Sequence, residues 1–128
     1  MKHLPESEFE IMRVLWSQEP PVSTGVVMES LGETKKWKRQ TVITLLLRLT
    51  ERGFVRGEKQ GKENIYYPLV EKKDYLEFET RDFIKRFHGN SLASLVSSFS
   101  ASQRITQDDI EELERLIERR KQNDKSCL

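Results

Sequence analysis

Between Thr34 and Lys62 the chain carries nine basic side chains (Lys35, Lys36, Lys38, Arg39, Arg48, Arg52, Arg56, Lys59, Lys62) against two acidic ones, Glu51 and Glu58, a local charge of +7. Residues 1–33 are net −4, and from Glu63 onward there are eleven basic and thirteen acidic groups, so the whole chain is only +1. A near-neutral total that hides one basic block excludes a uniformly cationic coat and points to a polyanion surface confined to one segment. The 128 residues suit one small domain with an appendage, and with 36% apolar and 34% charged residues a single copy has little material for a large core. Burial of a face against a second copy would offset that shortage.

The residues around the basic block set its local structure. Ser7, with Glu10 three residues later, has the pattern of a capping box, and Phe9, Met12, Leu15 and Trp16 then form one apolar face that ends at Pro20-Pro21. Val22 suits a short extended piece. Ser23 caps a second helix of about two turns carrying Val26, Val27 and Leu31, with Gly32 as its expected stop. A third helix is expected from about Lys38 to Arg52, because Val42, Leu45, Leu46 and Leu49 repeat at i, i+3, i+4 and i+7 and Gly53 can adopt the left-handed terminating conformation. Phe54-Val55-Arg56 and Ile65-Tyr66-Tyr67, closed by Pro68, flank the polar stretch Gly57 to Lys62, which reads as a β-hairpin with a basic, glycine-containing tip.

After residue 70 the character changes. Leu76, Thr80, Phe83 and Phe87 keep helical spacing, Gly89-Asn90 breaks it, and a serine-rich stretch from Ser91 to Ser102 contains Leu92, Leu95, Val96 and Phe99. A last helix opens at Thr106, places Asp108, Asp109, Glu111 and Glu112 near its positive end and Arg119, Arg120 and Lys121 toward its negative end, and lines up Ile110, Leu113, Leu116 and Ile117 on one face. Residues 122–128 are expected to fray. The fold class is therefore mainly α with a small β-hairpin, with residues 1–70 as an N-terminal winged helix-turn-helix and 71–128 as a helical appendage.

In a winged helix-turn-helix the third helix enters the major groove and the hairpin, or wing, lies against phosphate. At 100° per residue, Val42, Leu45, Leu46 and Leu49 face inward, with Gln40, Thr44, Leu47 and Glu51 opposite and Thr41, Ile43 and Arg48 on the flanks. The expected groove-facing set is Lys38, Arg39, Gln40, Thr41 and Thr44, with Arg48 beside them. Gln40 suits adenine N6 and N7, Arg39 suits guanine or phosphate, and the two threonines offer a hydroxyl and a methyl each. Arg56, Lys59 and Lys62 supply point charges for the phosphate backbone. Glu51 opposes phosphate, which limits groove entry to the first turns of the helix.

Other chemistry has little to stand on. His3 and His88 each lack metal-ligand company at suitable spacing, so no metal is expected, and the acidic run at 108–112 is explained by its place in a first helical turn. No nucleophile elbow, phosphate loop or Cys/His pairing is present, so the chain reads as no enzyme and implies no cofactor. Cys127 alone forms neither an internal disulfide nor a multi-cysteine site. No run approaches the roughly 20 apolar residues of a membrane helix, and Met1 to Pro5 lack a signal's apolar stretch, so a cytoplasmic protein is expected. The competing class is a winged-helix module that binds another protein through its exposed hairpin and helices.

Several stretches carry a resemblance: Glu8 to Trp16 (EFEIMRVLW), Trp37 to Thr44 (WKRQTVIT), Leu45 to Phe54 (LLLRLTERGF) and Tyr66 to Val70 (YYPLV). Over nearly its whole length the chain resembles penicillinase repressors of the BlaI/MecI/CopY type. The resemblance implies a homodimeric repressor on pseudo-palindromic operator DNA, held together by its C-terminal helices. Leu76, Phe83, Phe87, Leu95, Phe99, Ile110, Leu113, Leu116 and Ile117 are then the expected dimer contacts. In the penicillinase branch it further implies inactivation through a membrane sensor for β-lactams, with cleavage before a Phe in a Ser-Leu-Val-x-Asn-Phe stretch. Here the stretch is Ser94-Leu95-Val96-Ser97-Ser98-Phe99, making Ser98–Phe99 the corresponding bond, with Ser98 where that branch carries Asn. Lys38-Arg39-Gln40 likewise replace that branch's Ser-Pro-Lys, which separates the operator preference. The copper-sensing branch's paired Cys-x-Cys motifs are reduced to Cys127, which argues against a copper response. A repressor of this family answering a different signal remains the nearest alternative within the class.

Overall fold

A computed structural model of the chain describes residues 1–126, without the side chains at 33, 125 and 126. Cys127 lies outside the described residues. The elements in order are α1 (Glu6–Ser17), β1 (Val22–Ser23), α2 (Thr24–Lys35), α3 (Arg39–Glu51), β2 (Val55–Gln60), β3 (Glu63–Pro68), α4 (Lys72–His88), α5 (Leu92–Ala101) and α6 (Gln107–Ser126). The three strands form one antiparallel sheet in the order β1-β3-β2.

The cap of α1 lies two residues earlier than its sequence suggests, and Ser7 is not that cap. Pro5 holds the cap position with its carbonyl accepting from Phe9 N–H at 2.9 Å, so Ser7 falls inside the first turn. Proline's fixed φ presets that geometry without any side-chain cap. Ser23 does cap α2, accepting from Val26 N–H at 3.2 Å. Gly32 does not stop that helix, which runs three turns to Lys35 and ends at Lys36 in the left-handed region, φ 56°. The stop comes where Trp37 turns in to pack against the core. α3 ends as expected, with Gly53 at φ +81° and Phe54 N–H returning to Leu49 O at 2.9 Å. The polar stretch after Arg56 is mostly strand: β2 runs to Gln60, and only Gly61 and Lys62 form the turn.

By contact the chain divides into two compact units, Met1–Thr80 and the residues from Arg81 onward. The first holds the core, built from Ile11, Met12 and Leu15 of α1, Val27 of α2, the inner face of α3, and Phe54, Val55 and Tyr66 of the wing. It extends past the composition change at residue 71 because Tyr75 of α4 is only 1% exposed. Tyr75 stacks near Phe9, Trp16, Phe54 and Phe78, accepts from Leu4 N–H at 2.8 Å, and donates to Glu79 Oε1 at 2.5 Å. Burial first, then the bond to Glu79, pushes its phenol up to about 12, keeping it a neutral donor. Trp16 Nε1 donates to Val70 O at 2.9 Å, fixing the chain between β3 and α4. Glu8, 1% exposed, receives Arg52 Nε at 2.7 Å, which ties the end of α3 to α1.

The second unit contains the end of α4, then α5 and α6. Gly89 (φ +54°) and Asn90 (φ +66°) end α4, with Asn90 N–H donating to Ile84 O at 3.1 Å. Ser91 caps α5 by accepting from Ser94 N–H at 3.1 Å. Thr106 and Asp109 cap α6 reciprocally, at 3.0 and 3.1 Å, and this box accounts for the acidic first turn. α6 continues to Ser126, into the stretch expected to fray from residue 122. Among the described residues from Arg81 onward no side chain is buried.

Candidate nucleic-acid interface

The interface grows from the start of α3. Lys38 holds the cap position in an extended conformation and no side chain caps the helix, so the first-turn N–H groups end in a run of Lys38, Arg39 and Gln40 side chains. Those N–H dipoles and cations share one sign, and an anion is their natural complement. Val42, Leu45, Leu46 and Leu49 are buried, which fixes the roll of the helix and turns Lys38, Arg39, Gln40, Thr41, Leu47 and Arg48 outward, with Ile43 and Thr44 half-buried.

The wing stands on one flank of this face. Ile43, Leu47 and Thr50 of α3 line a groove whose other wall is Gly57, Glu58, Lys59, Asn64 and Tyr66. Gly57 permits the tight packing there, since a Cβ at that position would meet the Tyr66 ring at 3.1 Å. Lys59, paired in register with Asn64, is therefore beside α3, and Lys62 is in the exposed turn. Arg56 is not brought to this groove. It pairs with Tyr67, one register step from the Gly57–Tyr66 pair, so it occupies the opposite face of the ribbon. Its guanidinium lies 4.2 Å from the Tyr67 ring centroid and forms an ion pair with Glu58. On the other flank Arg48 shares a groove with Met1, Lys2, Glu51, Arg52, Phe54 and Val70.

Sequence periodicity located the outward face of α3 but missed two neighbours of it. Lys2 joins Arg48 only through the fold, and Asn64 joins Lys59 only through strand register. Leu47 lay on the outward arc of the helical wheel and is exposed there despite being apolar.

The remaining expected sites lie outside α3 and the wing. Ser98 and Phe99 sit inside α5, where Ser98 Oγ donates to Ser94 O at 3.2 Å and Phe99 O accepts from Ser102 N–H at 3.2 Å. Leu76, Phe83, Phe87, Phe99, Ile110, Leu113, Leu116 and Ile117 are all exposed, and Leu95 is half-buried. His3 Nδ1 lies 2.7 Å from Glu79 Oε1, and His88 Nδ1 lies 2.9 Å from Ser94 Oγ. Among the described residues no group of three or more His, Cys, Asp or Glu could hold a metal, and no described helix is long and apolar enough to cross a membrane.

Three helices with the third basic at its start, followed by two strands that form a wing and pair with the short β1 between α1 and α2, define a winged helix-turn-helix protein. The penicillinase repressor family model matches residues 4–119. The chain belongs to that family, one of transcriptional repressors rather than enzymes. It is similar to the penicillinase repressor of Bacillus licheniformis, 31% identical over 128 residues, covering 98% of this chain and 99% of that one. It is also similar to the methicillin resistance regulatory protein MecI of Staphylococcus aureus strain N315, 30% identical over 117 residues and covering 91% and 94% of the two chains. Among solved structures, the DNA-binding domain of the repressor BlaI matches with a TM-score of 0.51 and 32% identity, over 59% of this chain and 94% of that one.

Proposed function

We propose that this chain is a homodimeric, sequence-specific repressor that binds pseudo-palindromic operator DNA of β-lactam-resistance-type genes in the cytoplasm. The observation that carries the proposal is the outward turn of Lys38, Arg39, Gln40 and Thr41 at an uncapped helix start, with Lys59 and Lys62 of the wing on the flank. Gln40, Thr41 and Thr44 discriminate bases, while Arg39, Arg48, Lys59 and Lys62 hold phosphate. Arg56 contributes less, its charge being shared with Tyr67 and Glu58.

The second unit pairs two copies. Most of its large apolar residues are exposed within one chain, and joining two readers raises operator affinity through effective concentration. Cleavage at Ser98–Phe99, driven by a membrane sensor and protease system, would separate α6 from the rest and release DNA without touching α3. Because that bond lies within α5, the helix must open locally before a protease can take it in extended form.

The test is selection of bound fragments from random genomic DNA, followed by titration of the selected duplex against salt. Binding with a log-log slope of about −0.9 for each phosphate neutralised is expected. No selected sequence, or a flat salt dependence, would reject the assignment of α3 and the wing.

A further inference from the structure

We infer that Leu47, backed by Ile43, reads the 5-methyl group of a thymine in the major groove, and so determines specificity alongside the polar set at the start of α3. Leu47 is 57% exposed in the middle of α3, while its neighbours Leu45, Leu46 and Leu49 form the buried face. Core packing therefore does not explain a leucine there. Ile43, one turn earlier, shares its side of the helix, and together they make the apolar wall of the groove whose opposite wall includes Lys59 and Asn64.

The placement relative to Gln40 decides what covers this patch. Seven residues of helix turn Leu47 to within about 20° of Gln40 and carry it about 10.5 Å along the axis. That distance is about three base-pair steps at 3.4 Å per step. A duplex close enough for Gln40 to meet a base edge thus brings Leu47 to the same groove about three pairs away. The thymine methyl is the apolar feature that the major groove presents. A protein partner would have to cover Arg39, Gln40 and Lys59 along with the leucine, whereas a duplex complements all of them. Glu51, one turn beyond and exposed, opposes closer approach of phosphate and makes Leu47 the last residue of α3 to reach a base.

This inference rests on the DNA-reading function proposed above, and the experiment separates the two. Each thymine of the selected site is replaced singly by deoxyuridine, which removes only the methyl group, and binding is measured by fluorescence anisotropy for the full chain and for Leu47→Ala. One position per half-site is expected to weaken the wild-type chain by about three- to five-fold per methyl lost and to leave Leu47→Ala unaffected. Thr44→Ser, which removes a different methyl on this face, should stay sensitive at that position. Circular dichroism of Leu47→Ala should match wild type, since the side chain is exposed. If no thymine is coupled to Leu47, or if Thr44→Ser removes the coupling instead, the inference is overturned and the reader function stands. If no duplex sequence is selected at all, both fall.

Discussion

Leu46 in α3 and Leu116 in α6 are the same residue type on the same kind of amphipathic helix, yet the first is fully buried and the second is 49% exposed. The unit ending at Thr80 closes its apolar face on itself, with α1, α2, α3, the wing and Tyr75 all contributing to one core. Among the described residues from Arg81 onward no apolar side chain is buried. The first is thus specified by its own core, whereas the described part of the second carries capped helices with no buried side chain, which is why we propose that a second copy covers them. Under the proposed function, such a division would let one part read and the other pair copies, so that affinity could be switched without altering the reading surface.

The strongest way to break the comparison is to remove α6. A chain ending at Ser98 should keep the fold of the first unit but bind a full operator about 10²- to 10⁴-fold more weakly, the range that effective concentration supplies. Mobility-shift titration on full and half sites reads this directly; an unchanged full-site affinity would mean that the second unit has no part in binding. A smaller but sharper contrast comes from paired truncations. Leu46→Ala should lower unfolding stability by about 2–5 kcal/mol at any protein concentration. Leu116→Ala should instead act through the monomer–dimer equilibrium, visible as a midpoint that depends on concentration. Equal, concentration-independent losses would erase the distinction between the units.

Within the first unit the contrast lies between reading and holding. Gln40→Ala and Thr41→Ala should each flatten base preference by about 1–3 kcal/mol at one position, measured on single-base variants of the selected site. Lys59→Ala should weaken all sequences alike and reduce the salt slope by about one phosphate, and Arg56→Ala should do so less, because Arg56 lies on Tyr67 and is paired with Glu58. If Lys59→Ala changed base preference, the division of roles would be wrong.

How legible these features were depends on the range of the interaction that sets each one. The inward face of α3, the Ser23 cap and the Gly53 terminator follow from spacing and backbone preference within a few residues, and periodicity finds them. The start of α1 was misplaced because Pro5 and Ser7 both suit a helix start, and only the carbonyl of Pro5 takes that place. Gly32 was a reasonable local stop, but Leu31 packs in the core and α2 continues until Trp37 turns inward, a tertiary cause that a local rule does not see. The same holds for the interface. Charge revealed the basic block, yet the engagement of Arg56 with Tyr67 and of Arg52 with Glu8 depends on strand register and helix packing. Tyr75 read as part of a separate helical segment because its partners Leu4 and Phe9 lie some seventy residues away in sequence.

The central claim is that a self-contained reader is paired through a unit that cannot close alone. Sedimentation equilibrium of the full chain with a labelled duplex carrying the complete selected operator tests it most directly. Two chains per duplex are predicted for the intact protein, with single occupancy at the same concentration once the chain ends at Ser98. One chain per duplex for the intact protein, at saturating concentration, would contradict the account.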